Sequence, residues 1–293
     1  MQSPITSTIT PPISVNPQQP QVPPLTQKKA FLYMIFRDQS IQPDTVNAIK
    51  KEIKASTIKE LNLVINSGGG DTYSAVKIIR ILRSKFTKIT ALVPYRAMSA
   101  ATLILLGTDE IFMSEESQLG PLDLPMEHPV DGSRISSVDV VNTLSSLSTT
   151  MMSNADSMYK YLREDLENGE KIGKHKSIEL ALQYSTKLIL PITEKIDPYH
   201  RQVAYRKLRI AQWYAYDLLR TKMIKDPDQA WITARKFVYN FPDHSYAIFR
   251  EEAKDTLRLT IKDATHYRSW DEICNEVNAT LIVKTPYIKY IEK

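Results

Sequence analysis

LNLVINSGGGDTYSAVKIIRILR (61–83) and KITALVPYRAMSAATLILLG (88–107) decide the fold. Each opens on a short β-prone apolar run, breaks at a turn and continues as a helix. In the first helix Ala75, Ile78, Ile79 and Leu82 recur at helical spacing. Upstream, AFLYMIF (30–36) reads as a strand, and Pro43 to Ser56 as a helix opened by Gln42-Pro43-Asp44. Downstream, EIFM (110–113) reads as another strand. Strands alternating with helices pair in parallel, with the helices on the faces of the sheet. The expected fold class is α/β, a parallel sheet with flanking helices.

The second half changes character. Residues 136–167, 175–189 (stopped by Pro191), 198–224, 228–241 and 249–258 read as helices, and the last twenty residues, with TLIVK, as a strand. This half is expected to be largely helical. Residues 1–27 are rich in Pro, Gln, Ser and Thr and hold no charge, a composition that cannot offset ordering entropy. The expected division is a disordered Pro/Gln-rich tail at 1–27, an α/β core at 28–130, and a helical extension at 131–293 completing the same domain. No internal repeat is visible.

Composition narrows the function classes. Hydrophobic residues at 42% and charged residues at 24% suit a globular chain. The net charge is +5, but Lys and Arg are scattered and no nucleic-acid motif accompanies them, so nucleic-acid binding is not expected. One cysteine, Cys274, excludes an internal disulfide and a multi-cysteine zinc site. No apolar run is long enough to span a membrane, and no basic-then-apolar leader opens the chain, so a cytoplasmic location is expected. The histidines are scattered without HExxH spacing, so neither a metal nor another cofactor is expected.

Two turns could carry chemistry. Five of the eight glycines lie between 68 and 120 and bracket Ser99. Gly68-Gly69-Gly70 follows a strand, and glycine tolerates φ > 0, so consecutive amides can point at one ligand atom. That ligand could be an oxyanion or a phosphate. Asp71-Thr72-Tyr73 in place of a following Lys-Ser/Thr, and the absence of GxGxxG, speak against a nucleotide. The structural alternative is a strand-to-helix turn capped by Asp71. Ser99, between Ala97 and Ala100 at a helix start, is either an inert N-cap or an accessible hydroxyl beside unpaired amides. Both turns follow parallel strands, so both fall at the sheet edge where ligands bind in open α/β folds.

INSGGGDTYSAVKIIRILR, VPYRAMSAATLILLGTDEIFM and LGPLD together resemble the Clp/crotonase fold. Within it the sequence is most similar to the serine dehydrogenase proteinase family, relatives of signal peptide peptidase A and the Clp protease. The best-matching region is roughly 58–124, and FPDHSYAIFREEAKDTLRLTI (241–261) is similar to the family's closing segment. The resemblance implies serine peptidase activity on protein or peptide, with Ser99 as nucleophile. It implies an oxyanion hole from the amides of Gly69 or Gly70 and of Ala100, and a cleft wall at Pro121 and Asp123. It also implies a homo-oligomer. The activating base departs from the pattern. Leu122 stands where Clp proteases place histidine, and no lysine occurs between Lys88 and Lys160. His244 is the first candidate, then His128, with Lys160 or Lys174 behind them. Two alternatives stand beside the peptidase. One is an inactive binding or scaffold protein, with an unidentified protein partner on the Tyr/Arg-rich helix 199–223. The other is a crotonase-type acyl-CoA enzyme using Asp123 or Glu116.

Overall fold

The computed structural model describes residues 29–165, 172–282 and 285–292. The expected tail at 1–27 lies outside them. The strands are β1 (Ala30–Ile35), β2 (Glu60–Asn66), β3 (Lys88–Val93), β4 (Arg96–Ala97), β5 (Glu110–Met113), β6 (Gln118–Leu119), β7 (Met126–Glu127), β8 (Arg134–Ile135), β9 (Ile248–Phe249), β10 (Ile261–Asp263) and β11 (Tyr287–Glu292). The α-helices are α1 (Pro43–Ile53), α2 (Thr72–Lys85), α3 (Ala100–Leu106), α4 (Ser137–Lys160), α5 (Lys174–Thr193), α6 (Pro198–Thr221), α7 (Pro227–Tyr239) and α8 (Trp270–Leu281).

A six-stranded sheet runs in the order β10-β5-β3-β2-β1-β11. Its first five strands are parallel, and β11 is antiparallel at the β1 edge, Ala30 opposite Glu292. Parallel strands covered on both faces read as continuous apolar runs, and AFLYMI is buried throughout. Alternate residues of β1 feed two different cores. Leu32 and Met34 face the main core, whereas Phe31, Tyr33 and Ile35 join Val64, Leu92 and Ile273 and Val277 of α8. The main core continues into the second half through Leu208, Leu218 and Leu219 of α6 and Phe237 of α7.

The fold is mixed α/β with a mainly parallel central sheet flanked by helices, as expected. Local expectations fail where tertiary pairing decides. Residues 249–258 do not form one helix: Ile248–Phe249 pairs with β6, and one π-helical turn (Glu252–Thr256) follows. Helix α5 runs through Pro191 to Thr193, because a proline in the last turn gives up one hydrogen bond while Glu194 N–H still reaches Leu190 O at 3.0 Å. Thr280 and Leu281 of TLIVK end α8, and the last strand is Tyr287–Glu292.

Candidate active site

The turns after β2 and β3 are joined at the carboxyl edge of the sheet. Ser67 N–H donates to Arg96 O at 2.9 Å, and Met98 N–H donates to Ser67 O at 3.0 Å. Gly69 and Gly70 have φ of +105° and +145°, which L side chains rarely adopt. A Cβ on Gly69 would lie 2.8 Å from Met98 O and 3.0 Å from Ser99 Cβ, and one on Gly120 would lie 3.0 Å from Ser99 N. The Ser99 backbone is therefore gripped from two sides at positions with no room for a side chain. Asp71 then starts α2, its Oδ1 accepting from Ser74 N–H at 2.8 Å and Ser74 Oγ at 2.6 Å.

Ser99 precedes α3 at φ 51°, ψ −117°. A non-glycine residue there carries about 1–3 kcal/mol of backbone strain, a cost that concentrates at functional sites. Its hydroxyl makes no capping hydrogen bond to α3, so the inert N-cap role is unfilled. Such a serine, on a sharp strand-to-helix turn, presents its hydroxyl rather than tucking it into the helix. Of the nearby amides, Gly69 N–H donates to Ser67 Oγ at 3.1 Å. The N–H groups of Gly70 and Ala100 have no hydrogen-bond partner among the described residues.

The segment after β6 is fastened to α3. Gly120 N–H donates to Thr102 Oγ1 at 3.0 Å, and that hydroxyl donates to Ala97 O at 2.6 Å. Pro121 and Asp123, expected as cleft wall, are buried and do not line the cavity, which Leu124 and Pro125 line instead. Asp123 is 3% exposed, and its Oδ1 lies 2.9 Å from Nδ1 of His244. Its Oδ2 accepts from Ser136 Oγ at 3.1 Å. His244 follows α7, and the antiparallel pairing of β9 with β6, Ile248 opposite Leu119, brings this loop back to the LGPLD segment.

Ser99, Gly68, Gly69, Gly70 and His244 line one cavity of about 750 Å³. The other four histidines lie elsewhere. His128 is a surface residue beside Asp131 at 3.1 Å, His175 is exposed on α5, His200 lies in an adjoining pocket, and His266 in a cavity under α8. Lys160 pairs with Asp156 at 2.8 Å, Lys174 is exposed at the start of α5, and neither reaches the Ser99 cavity. The α8 cavity, about 770 Å³, is walled by Lys29, Glu60 and Lys88 at the amino ends of the strands, the opposite edge from the two turns. Burial, with Asp271 nearby, pushes the Cys274 thiol up, away from reactive thiolate. Among the described residues no group of three or more His, Cys, Asp and Glu could hold a metal ion, and no helix is long and apolar enough to cross a membrane.

The sequence offers Asp123 as cleft wall or as an acyl-CoA carboxylate, and its pairing with His244 is visible only in the structure. The available signal was an aspartate in an otherwise apolar segment, GPLDL, with no neighbouring cation in sequence. An acid that folds into such a segment needs a partner.

Two uncharacterized proteins of Methanocaldococcus jannaschii, MJ0137 and MJ1495, are 38% and 35% identical over 65 and 63 residues. Each match covers 22% of this chain, and 23% and 22% of those proteins, so the chain spans under a quarter of these relatives. Two solved structures of a membrane-bound stomatin-specific protease, 1510-N, are similar to 49% and 43% of the chain. They cover 72% and 63% of their own chains, at 15% and 17% identity and a TM-score of 0.30, and one holds a substrate peptide. Residues 30–171, from β1 to beyond α4, match the family model of ClpP-like SDH-type serine proteinases.

Proposed function

We propose that this chain is a serine peptidase in which Ser99 is the nucleophile, His244 its base and Asp123 the group that orients the base. The observation that carries the reading is the buried Asp123 carboxylate 2.9 Å from His244 Nδ1, in a histidine that shares its cavity with Ser99. An ionised carboxylate only accepts, so Nδ1 carries the proton and Nε2 is left as the basic nitrogen. Ser99 Oγ attacks the peptide carbonyl carbon while its proton moves to Nε2. The carbonyl oxygen becomes an oxyanion, received by the Ala100 amide and an amide of the glycine turn. Gly70 is the readier donor, since the Gly69 N–H would first have to release Ser67 Oγ. Collapse expels the amine, which takes the proton from Nε2, and water then repeats the sequence on the acyl-serine.

An inactive scaffold is disfavoured on this reading because His244, 121 residues beyond Asp123, supplies a base where the usual histidine and lysine are missing. The acyl-CoA alternative needs a carboxylate free to act on the acyl group. Asp123 is engaged by His244 and Ser136, and Glu116 lies in a different pocket, with Arg250.

The test is covalent labelling with a fluorophosphonate, comparing wild type with Ser99→Ala and His244→Ala. Labelling lost in Ser99→Ala and slowed at least a hundredfold in His244→Ala supports the assignment. A folded wild type that takes no label sinks it.

A further inference from the structure

The reacting cavity has a charge bias that the chemistry of Ser99 and His244 does not use. Its wall holds four cations, Arg37, Arg96, Arg134 and Lys207, against two carboxylates, Asp38 and Asp71. Two of the cations are committed to the protein: Arg37 pairs with Asp38 at 3.5 Å, and Arg96 donates to Arg37 O at 3.1 Å. Asp71 is tied to Ser74. Arg134 and Lys207 have no ion pair or side-chain hydrogen bond among the described residues.

These two cations come from separate elements, β8 and α6, and converge on one place. Both also wall a second pocket of about 590 Å³, which shares Pro125 with the first. Along α6, Lys207 and Ile210 face the Ser99 cavity, while His200, two turns before Lys207 on the same face, faces the second pocket. The two cavities thus abut, with Arg134 and Lys207 at the seam. An extended peptide held at Ser99 and leaving toward the second pocket passes between a guanidinium and an ammonium. Glu127, opposite Arg134 in the β7–β8 pair, is the carboxylate on that side, so Lys207 is the cation set apart from it.

We propose that Arg134 and Lys207 form a carboxylate-selective subsite, so that the preferred substrates are peptide segments carrying Asp or Glu close to the bond cut. This rests on the Ser99 cavity being the peptide-binding site. A carboxylate could also come from a chain terminus; the side-chain source is favoured because the seam lies between two open cavities, a path for continuing chain. Partly exposed ion pairs are individually weak and salt-sensitive, so two of them give a preference of about tenfold rather than an absolute requirement.

The experiment measures binding of fluorescent ten-residue peptides to the full-length Ser99→Ala protein by anisotropy. Three peptides are compared: amidated with central Asp and Glu, amidated with Asn and Gln there, and the neutral peptide with a free C-terminus. The expected result is about tenfold tighter binding of the acidic peptide, an advantage that shrinks as salt rises from 50 to 500 mM. Arg134→Glu with Lys207→Glu should abolish or reverse it. Arg134→Gln with Lys207→Gln should level it and serves if the reversed pair misfolds. Equal or undetectable binding of the acidic and neutral peptides overturns the proposal. So does an acidic preference that survives both double variants, or tightening seen only with a free C-terminus. Fluorophosphonate labelling of wild-type Ser99 needs no peptide, so it reports separately on the catalytic reading.

Discussion

Replacing each glycine of the 68–70 turn by alanine should give sharply unequal results, although the three residues are adjacent and chemically identical. At Gly68 an added Cβ meets nothing within 4 Å, and φ lies outside the left-handed region. Restricting the unfolded chain there offsets any loss, and Gly68→Ala should fall within about 1 kcal/mol of wild type. At Gly70, φ is +145° and the Cβ would lie 2.4 Å from both N and O of Ile41. The backbone conformation alone costs an alanine about 1–3 kcal/mol. Relieving the overlap costs about 1–3 kcal/mol more, because it pushes on a backbone segment rather than a flexible side chain. The segment that must move is held by Ile41 N–H to Gly69 O and Asp71 N–H to Ile41 O, both 2.8 Å. Losing one of those bonds adds about 1 kcal/mol. Gly70→Ala should therefore lose about 3–7 kcal/mol, a large share of a typical domain's stability. Urea unfolding followed by circular dichroism measures both variants, with an unchanged m-value as the sign that the unfolded state is the same. Equal losses at 68 and 70, or a Gly70→Ala variant within 1 kcal/mol of wild type, would refute the described turn.

Asp123→Asn should slow fluorophosphonate labelling a hundredfold or more with little change in melting temperature. The asparagine amide donates to Nδ1 and leaves the proton on Nε2, the wrong nitrogen for a base; unchanged labelling would remove Asp123 from the proposed mechanism. Gly120→Ala should leave the protein folded but impair labelling, since its Cβ meets Ser99 N at 3.0 Å and the nearest other contact is the flexible Met98 Cε at 2.9 Å. Glu110→Gln should destabilise at neutral pH by about 1 kcal/mol. Burial opposes the Glu110 charge, but hydrogen bonds from Lys262 and Thr90 prevail and hold its carboxyl below the ordinary range. A lowered folded value means the stabilisation is present above the unfolded carboxyl's titration and lost as pH falls through the folded one. The gap between wild type and Glu110→Gln in urea titrations should close in acid; a gap independent of pH would show that the charge is irrelevant.

The parallel core was legible because its signals are local. Apolar runs 30–36, 61–65 and 88–93 needed no distant partner to be read, and the turn chemistry after two of them put the glycines and Ser99 at one edge. What escaped depends on contacts far apart in sequence. Ile248–Phe249 carries no strand signal of its own and becomes one by pairing with Gln118–Leu119. The antiparallel seat of β11 on β1 joins Ala30 to Glu292 and follows no periodicity. His244 was singled out by similarity of its segment, but its partner Asp123 could be found only once β9 had met β6. Strain at Ser99 was equally hidden, since spacing supported an ordinary N-cap and only the dihedral angles distinguish the two.

The pairing of β9 with β6 also sets an order of events during synthesis. A chain emerging from the ribosome at about 5–20 residues per second exposes Ser99 and both turns well before His244 exists. Under the proposed assignment, the growing polypeptide carries the Ser99 nucleophile with no base until residue 244 is made, 121 residues beyond Asp123. Sheet closure by β10 and β11 comes later still. Under that assignment activity is withheld until His244 has been made and β9 has paired with β6.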